Sequence, residues 1–326
     1  MRPTELKNEF KSGKIEKKVY WTLMREHTAA LTDMRDLLIS NNDVKEIVIN
    51  RDGITLENSD GIKMYFDFSQ TICRAEVSLI MDGDPEQDDF DLINDVLTDG
   101  ELLDIGANAG LFALAINKKN PRVRVHSFEP IEETFNLMLK NLKLNNIGMD
   151  AIIPNNAGLS DKSGTAVFYL PGQSEAASLK PITDEYYLQE SDDTGRRTGH
   201  NSERKIECKL STVDEYCQEK GLKSVDFIKI DVEGNEINVL KGAGEVLSKY
   251  QPVVYSELLR KHAKRFDYHP DEVIALMKGY GYSCFTLRDK KLVNIETIDN
   301  VEETNFFFLS EEKHMDIINK YANRSN

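Results

Sequence analysis

The sequence predicts an α/β fold in which helices cover both faces of a mostly parallel sheet. From about Asp88 to Leu309, short apolar runs of strand length alternate with longer runs of helical period, and this alternation is typical of parallel strand-helix-strand units. Hydrophobic residues make up 40% of the 326 residues and charged residues 30%, which is enough apolar material for a core. In such sheets, ligands bind outside the carboxyl ends of the strands, so residues that follow a strand are the first candidates for a site.

Residues 1–87 have a different pattern, and we interpret them as an N-terminal extension. Apolar side chains recur at three- or four-residue spacing over residues 14–41, which predicts an amphipathic helix. The apolar stripe of this helix either packs on its own domain or forms a homodimer contact. Three β-like runs separated by Asp-Gly turns then predict a small meander, and they are Glu46–Asn50, Ile54–Glu57 and Lys63–Phe68.

Residues 88–326 form the predicted main domain. Its expected strands are Glu101–Ile105, Val123–Phe128, Ala151–Pro154, Thr165–Leu170, Ile206–Leu210, Val225–Ile230, Pro252–Ser256, Ser283–Leu287 and Thr304–Leu309. Its expected helices are Gly110–Lys118, Ile131–Leu144, Thr212–Glu219, Asn235–Ser248 and Asp271–Lys278. Residues 171–204 interrupt the alternation with a polar run rich in Gly and Ser, for which a mobile substrate lid and a disordered segment are both open interpretations.

Charge and composition limit the classes of partner. The formal net charge is −15, whereas proteins that grip phosphate backbones usually present a basic surface, so we expect no nucleic-acid partner. No stretch approaches the roughly 20 apolar residues of a membrane span, and the N-terminus lacks a signal sequence, so we expect a cytoplasmic protein without a transmembrane segment. No CxxC pair is present, which favours reduced thiols; the four cysteines are Cys73, Cys208, Cys217 and Cys284.

A glycine-rich turn follows the first strand of the main domain. Residues 102–110 read as a strand, the acid Asp104, and a DxGxxxG turn that contains Gly106, Asn108 and Gly110 and opens a helix. Glycines allow a sharp turn and a close approach of a ligand to the backbone. A dinucleotide-binding turn would read GxGxxG, and an acid at this strand end would repel a phosphate. The turn therefore favours a ligand with a cationic group, such as an amino group beside a sulfonium.

A second carboxylate ends the next strand. Glu129 lies about 25 residues after Asp104, at the place where a nucleotide-binding α/β sheet positions its acceptor for ribose hydroxyls. Two carboxylates at adjacent strand ends are a more specific signal than either one alone. The alternative is that Glu129 only caps the helix that follows it.

Four segments of the chain resemble the FkbM-type family of methyltransferases that use S-adenosylmethionine. The segments are LLDIGANAGLFALAI, the FEP triplet, NAGLSDKSGTAVFYL and FIKIDVEGNEINVLKGA, and the resemblance covers roughly residues 88–310. It implies a Rossmann-like class I methyltransferase fold with a seven-stranded, mostly parallel sheet whose last strand is antiparallel. It also implies S-adenosylmethionine as the cofactor.

The resemblance assigns cofactor-binding roles to the first strand ends. In the family pattern, the Asp104–Gly110 turn would line the methionine part of the cofactor, and Glu129 would bind the ribose hydroxyls. Asn156 falls where related enzymes often hold the adenine, although Asn155 is an equal candidate by position. We also expect Asp231, at the end of the fourth strand, to lie beside the cofactor.

A charge cluster at the fourth strand end is the predicted catalytic group. Methyl transfer is an in-line displacement, and a hydroxyl acceptor is helped by a base that takes its proton. Lys229 and Asp231 are two residues apart and so point to one face of the strand, and Glu233 follows in the turn. The candidate bases are Asp231, Glu233 and His262, a residue of the type that most often acts as a base.

Two other interpretations of this cluster stay open. Asp231 and Glu257, at the end of the fifth strand, would together hold a divalent cation such as magnesium or calcium. Alternatively, Lys229 and Asp231 form an ion pair while the glutamates cap the next helix. Ser178, in the segment SEAASL, is a further candidate to face the cofactor or the acceptor.

The expected function is O-methylation that depends on S-adenosylmethionine. By resemblance, the acceptor is a hydroxyl of a sugar, a glycan or a nucleotide-sugar, or a hydroxyl of a secondary metabolite. N-methylation of an amino sugar is the nearest alternative, because a neutral amine needs less help from a base. A nicotinamide-dependent oxidoreductase would need the GxGxxG turn that the sequence lacks. A non-catalytic partner protein of this fold would be expected to lose Asp104 and Glu129, and both are present.

Overall fold

Two helices and a three-stranded meander begin the chain. The computed structural model describes residues 1–40, 44–66, 87–170, 177–181, 204–299 and 301–322. The first elements are α1 (Pro3–Lys11), α2 (Lys17–Ser40), β1 (Val44–Ile49), β2 (Ile54–Asn58) and β3 (Lys63–Phe66). The strands pair antiparallel in the order β1-β2-β3. The predicted helix and meander are therefore present, and α1 is a helix that the sequence analysis missed.

Strands and helices alternate through most of the remaining chain. The strands are β4 (Gly100–Ile105), β5 (Val123–Phe128), β6 (Ile152–Asn155), β7 (Gly158–Leu159), β8 (Gly164–Leu170), β9 (Arg204–Ser211), β10 (Phe227–Ile230), β11 (Val253–Glu257), β12 (Tyr282–Arg288), β13 (Lys291–Asn294) and β14 (Asn305–Ser310). The helices are α3 (Gln87–Val96), α4 (Leu111–Lys119), α5 (Glu132–Leu144), α6 (Val213–Lys220), α7 (Glu236–Lys241), α8 (Gly244–Tyr250), α9 (Arg260–Arg265), α10 (Asp271–Gly279) and α11 (Met315–Ala322).

The main sheet has the order β13-β12-β14-β11-β10-β4-β5-β6. Strands β6, β5, β4, β10 and β11 run parallel to one another, and β14 is antiparallel to both of its neighbours. Two of the nine strands expected in the main domain, Thr165–Leu170 and Ile206–Leu210, are β8 and β9, which form a separate three-stranded sheet with β7 in the order β7-β9-β8. The other seven are in the main sheet, and β14, the last of them in the chain, is antiparallel as expected. An eighth strand, β13, pairs antiparallel with β12 and extends one edge. The chain leaves β4 for β5 on one side and reaches β10 on the other, so the crevice for a ligand lies at the ends of β4 and β10.

The core consists of two apolar layers, one on each face of the main sheet. Neighbouring residues of one strand enter opposite layers, as the pleat of a strand requires. Ile228 packs with Leu103 in one layer, and Phe227 packs with Leu102 in the other. The register of β4 against β10 is therefore set by burial on both faces, since a shift by one residue would exchange the two layers.

The helix predicted over Asn235–Ser248 is two helices in the structure. Helix α7 ends at Lys241 and α8 begins at Gly244. A Cβ at Gly242 would overlap the backbone carbonyl oxygen of Ser160. The chain bends where it passes this carbonyl, and the apolar period of the sequence continues across the bend without showing it.

Several predictions about the extension and the insert remain untested. Of the predicted insert 171–204, residues 177–181 and Arg204 are described, and the others lie outside the described residues. Residues 67–86 are also outside them, so the domain boundary near residue 88 stays a prediction. Helix α2 exposes Trp21 and Leu31, and the homodimer through the extension likewise stays a prediction. Within the described ranges, no helix is both long enough and apolar enough to cross a membrane.

Replacing Gly106 by alanine should strongly destabilise the protein. Gly106 has a φ of +85°, and a Cβ there would overlap the carbonyl oxygen of Asp231. We expect Gly106→Ala to lower the free energy of unfolding by about 3 kcal/mol or more, because the ends of β4 and β10 would have to separate. Urea unfolding followed by circular dichroism measures this. Gly279→Ala is the matched control, since a Cβ at Gly279 meets nothing within 4 Å. Equal losses of unfolding free energy in the two variants would contradict the conclusion that no side chain fits at Gly106.

Candidate functional site

The turn after β4 is held against the end of β5 and against α5. The N–H groups of Gly106 and Ala107 both donate to the carbonyl oxygen of Phe128, at 3.1 and 2.9 Å. Gly110 precedes α4 with a φ of +88°, and a Cβ there would lie 2.9 Å from Cγ of Met138. Both glycines of the DxGxxxG turn are therefore required by packing, and the backbone of residues 106–110 is fixed at the crevice.

Glu129 joins this turn to the start of α5. Its Oε2 accepts the N–H of Asn108 at 3.1 Å and its Oε1 accepts the N–H of Ile131 at 2.9 Å. The residue is 7% exposed, and burial raises the pKa of Glu129 to about 7 even though the two N–H donors oppose that shift. Each oxygen has a further lone pair for a ligand donor. Both predicted roles, helix capping and ligand binding, are compatible with this geometry.

Asn156 lies at the surface beside Glu129, whereas Asn155 bonds back into the sheet. The Nδ2 of Asn156 donates to the carbonyl oxygens of Glu129 and Pro130, at 2.9 and 3.1 Å. The Nδ2 of Asn155 donates to the carbonyl oxygens of Ser127 and Ile153. Asn156 is therefore the better placed of the two candidates for contact with a ligand on Glu129.

Lys229 bridges the ends of β4 and β10. Its Nζ donates to the carbonyl oxygen of Gly106 and to Oδ2 of Asp231, both at 3.1 Å, and lies 3.8 Å from Oδ1 of Asp104. Asp104 is fully buried, and burial raises the pKa of its carboxyl to about 6. The predicted pairing of Lys229 with Asp231 on one face is present. Asp104 lies beneath the turn, so a ligand meets the backbone of the turn before it meets this carboxylate.

Helix α9 holds the loop that follows β10. Nδ1 of His262 lies 3.2 Å from Oε2 of Glu233, and Nη2 of Arg265 donates to the carbonyl oxygen of Glu233 at 2.6 Å. A Cβ at Gly234 would lie 2.7 Å from the carbonyl oxygen of His262. Burial and the nearby charge of Asp231 raise the pKa of Glu233 to about 7. His262 is itself buried, so it contacts Glu233 from the interior of the protein.

Glu236 forms hydrogen bonds that hold the same loop. Its Oε1 accepts the N–H of Gly234 at 2.9 Å, and its Oε2 accepts the hydroxyl of Tyr268 at 2.9 Å. Glu236 is buried. Glu236 therefore holds the loop before α7, since Gly234 precedes this helix, and the predicted capping of the helix by a glutamate is not what these hydrogen bonds do.

Glu257 ends β11 next to this cluster. Burial and the charges of Asp231, Glu233 and Glu236 raise the pKa of Glu257 to about 9. Magnesium and calcium need several oxygen ligands. Among the described residues, three side chains of the metal-binding types His, Cys, Asp or Glu bring their ligand atoms within 4.8 Å of one another at one place. These are His269, Asp271 and Asp299. Asp231 and Glu257 do not belong to such a group among the described residues, and their predicted metal site stays a prediction.

The structure brings almost all predicted site residues to one crevice. The residues concerned are Asp104, Gly106, Asn108, Gly110, Glu129, Asn156, Lys229, Asp231, Glu233, Glu257 and His262. The sequence analysis missed Arg265 and Tyr268, which contact the loop after β10. Arg265 lies on α9, which has only six residues and no apolar period, and the basic run RKHAKR was the only signal of this helix in the sequence. Tyr268 follows α9.

Known proteins share part of this sequence. A family model described as the methyltransferase FkbM domain matches residues 104–284, which is more than half of the chain. The chain is 30% identical over 159 residues to Methyltransferase sdnD of Sordaria araneosa, with 44% of this chain and 60% of the relative covered. It is 25% identical over 208 residues to the 31-O-demethyl-FK506 methyltransferase FkbM of Streptomyces tacrolimicus, with 60% and 77% covered.

A third relative is the hexuronic acid methyltransferase AglP of Haloferax volcanii. It is 26% identical over 163 residues, with 50% of this chain and 58% of the relative covered. The chain thus spans less than two thirds of the length of the first and third of these relatives. The strand ends that form the crevice, from β4 to β11, all lie within the residues that the family model matches. The chain belongs to the FkbM family of methyltransferases.

Proposed function

We propose that this methyltransferase transfers the methyl group of S-adenosylmethionine to a hydroxyl of a sugar, a glycan or a secondary metabolite. The observation that carries the proposal is the placement of Glu129. Its two oxygens are oriented by the N–H groups of Asn108 and Ile131 at the crevice between the strands. A carboxylate in this position suits the two hydroxyls of a ribose.

The residues at the crevice fit the proposed cofactor. The turn at 106–110 would hold the methionine part, Glu129 the ribose, and Asn156 the region of the adenine. Bound S-adenosylmethionine would supply an electrophilic methyl group on a cationic sulfur. Oδ1 of Asp104 is buried and accepts no hydrogen bond from the described residues. Lys229 is its ion-pair partner at 3.8 Å, and a buried carboxylate with an unfilled acceptor oxygen also attracts a cationic ligand nearby.

Glu233 is the best placed of the three predicted bases. The carboxylate of Asp231 is engaged by Lys229 at 3.1 Å, and His262 is buried behind Glu233. A base is most effective when its pKa lies near the working pH, and the pKa of Glu233 is about 7. In the proposed step, the Glu233 carboxylate takes the proton of the acceptor hydroxyl while the oxygen bonds to the methyl carbon and the carbon–sulfur bond breaks. Nδ1 of His262 lies 3.2 Å from Oε2 of Glu233 and packs against this side of the carboxyl.

The names of the relatives support a hydroxyl acceptor. One relative is named for 31-O-demethyl-FK506, whose oxygen at position 31 lacks a methyl group. Another is named for a hexuronic acid, a sugar that carries both hydroxyls and a carboxyl group. The experiment that tests the function is methyl transfer from radiolabelled S-adenosylmethionine to glucose, glucuronic acid and glucosamine, with the product identified by NMR. A methyl group on oxygen is the expected product. Methylation confined to the nitrogen of glucosamine would replace the proposal with the amino-sugar alternative.

Binding of S-adenosylhomocysteine should depend on Glu129. We expect Glu129→Ala to weaken its affinity roughly 10- to 100-fold in calorimetric titration, because the variant loses hydrogen bonds to a charged group. Glu133→Ala is the matched control: Glu133 lies on α5 with its side chain 57% exposed and paired with Arg204. Its affinity should equal that of the wild type. Unchanged affinity in Glu129→Ala would show that Glu129 is not part of the binding site. If the wild type does not bind at millimolar ligand, the proposed cofactor is wrong.

Methyl transfer should require the ionised form of Glu233. Because the carboxylate is the active form, kcat/KM should rise with pH through an apparent pKa near 7 and then level off. Glu233→Gln should lower kcat roughly 10²- to 10⁴-fold and abolish this rise, with the affinity for S-adenosylhomocysteine unchanged. Glu219→Gln, on an exposed part of α6, is the control. A full rate and an unchanged pH profile in Glu233→Gln would assign the proton transfer to another group.

A further inference from the structure

Arg265 links two segments that are distant in sequence. Its Nη2 donates to the carbonyl oxygen of Glu233 at 2.6 Å and to Oγ of Ser178 at 3.1 Å. Two hydrogens on this nitrogen allow both bonds at once. Arg265 therefore joins the loop after β10 to residues 177–181, which belong to the predicted insert.

Ser178 is buried and hydrogen-bonded within the fold. It is 1% exposed, and its N–H and carbonyl oxygen pair with Tyr169 of β8 at 3.1 and 2.8 Å. Its Oγ also accepts the N–H of Lys180 at 3.4 Å. The hydroxyl that Arg265 contacts is therefore held by the backbone on both sides.

Glu233 needs external support for its conformation. Its φ is +56°, a left-handed value that is strained for a residue with a side chain. Arg265 holds its carbonyl oxygen, and His262 lies 3.2 Å from its carboxyl. Both contacts come from α9, so this helix holds the backbone of Glu233 and lies against its carboxyl.

We propose that Ser178, Arg265 and Glu233 form a positioning link, in which residues 177–181 must be seated on β8 for the Glu233 carboxyl to be correctly placed. The proposal rests on the proposed function, in which Glu233 is the base. Arg265 and Ser178 are positioning residues, since they act through Glu233. Apolar packing would suffice to hold a loop, whereas a guanidinium between two oxygen acceptors fixes direction as well as distance. With this link, catalysis depends on the pairing of residues 177–181 with β8, in the way that loop positions complete the active site in other enzymes.

Hydrogen exchange of the full chain tests the link without any acceptor. We expect Ser178→Ala and Arg265→Ala each to raise amide exchange roughly tenfold in both 177–181 and 232–236. Arg265→Lys keeps a cationic donor and should restore part of the protection. Lys180→Ala is the matched control, because Lys180 lies in the same segment 177–181 but pairs with Asp267, which follows α9, with side chains 44% and 84% exposed, and such pairs contribute little.

The outcomes separate the link from the proposed function. Faster exchange at 177–181 in Ser178→Ala, with 232–236 unchanged, would overturn the coupling, and so would equal effects in Lys180→Ala. With whichever probe sugar is methylated, Ser178→Ala should lower kcat roughly tenfold while the affinity for S-adenosylhomocysteine stays constant. If kcat is unchanged while amide exchange is altered, the contacts of Arg265 hold the two segments together but do not position Glu233 for catalysis, and the proposal is wrong. If no probe sugar is methylated, the exchange result still decides whether the two segments are coupled.

Discussion

The site depends on the close approach of the turn after β4 to the end of β10. No side chain fits at Gly106, because a Cβ would overlap the carbonyl oxygen of Asp231. Lys229 then bridges the two strand ends through Gly106 and Asp231. Since β4 and β10 are neighbours where the strand order changes direction, this contact sets the distance between the carboxylates on either side of the crevice.

Crowded and buried acids give the crevice its electrostatic character. Burial is the largest cause that raises the pKa of Asp104 to about 6, of Glu129 and Glu233 to about 7, and of Glu257 to about 9. A nearby cation stabilises the ionised form of each of these groups. In the proposed function, binding of a cationic cofactor and loss of protons from these carboxyls therefore favour one another.

Helix α9 shows how a short element controls a long-range arrangement. It has six residues, yet it contacts the loop after β10 through His262 and Arg265 and reaches Ser178 in the predicted insert. The hydrogen bonds of Arg265 are directional and hold the backbone of the loop at Glu233, while His262 lies against the Glu233 carboxyl. The support for the proposed base thus comes from residues outside the strand that carries it.

The sequence by itself determined the strand ends and the residues that follow them, including Glu129 and the Lys229–Asp231 pair. These features are local, because strand period, glycine spacing and the two-residue repeat are properties of adjacent residues. Tertiary structure alone decided the break between α7 and α8 at Gly242, which depends on a distant carbonyl. It also decided the contact of Arg265 with Ser178 and Glu233. Such contacts join residues far apart in the chain, and only the packing of the sheet and helices brings them within hydrogen-bonding distance.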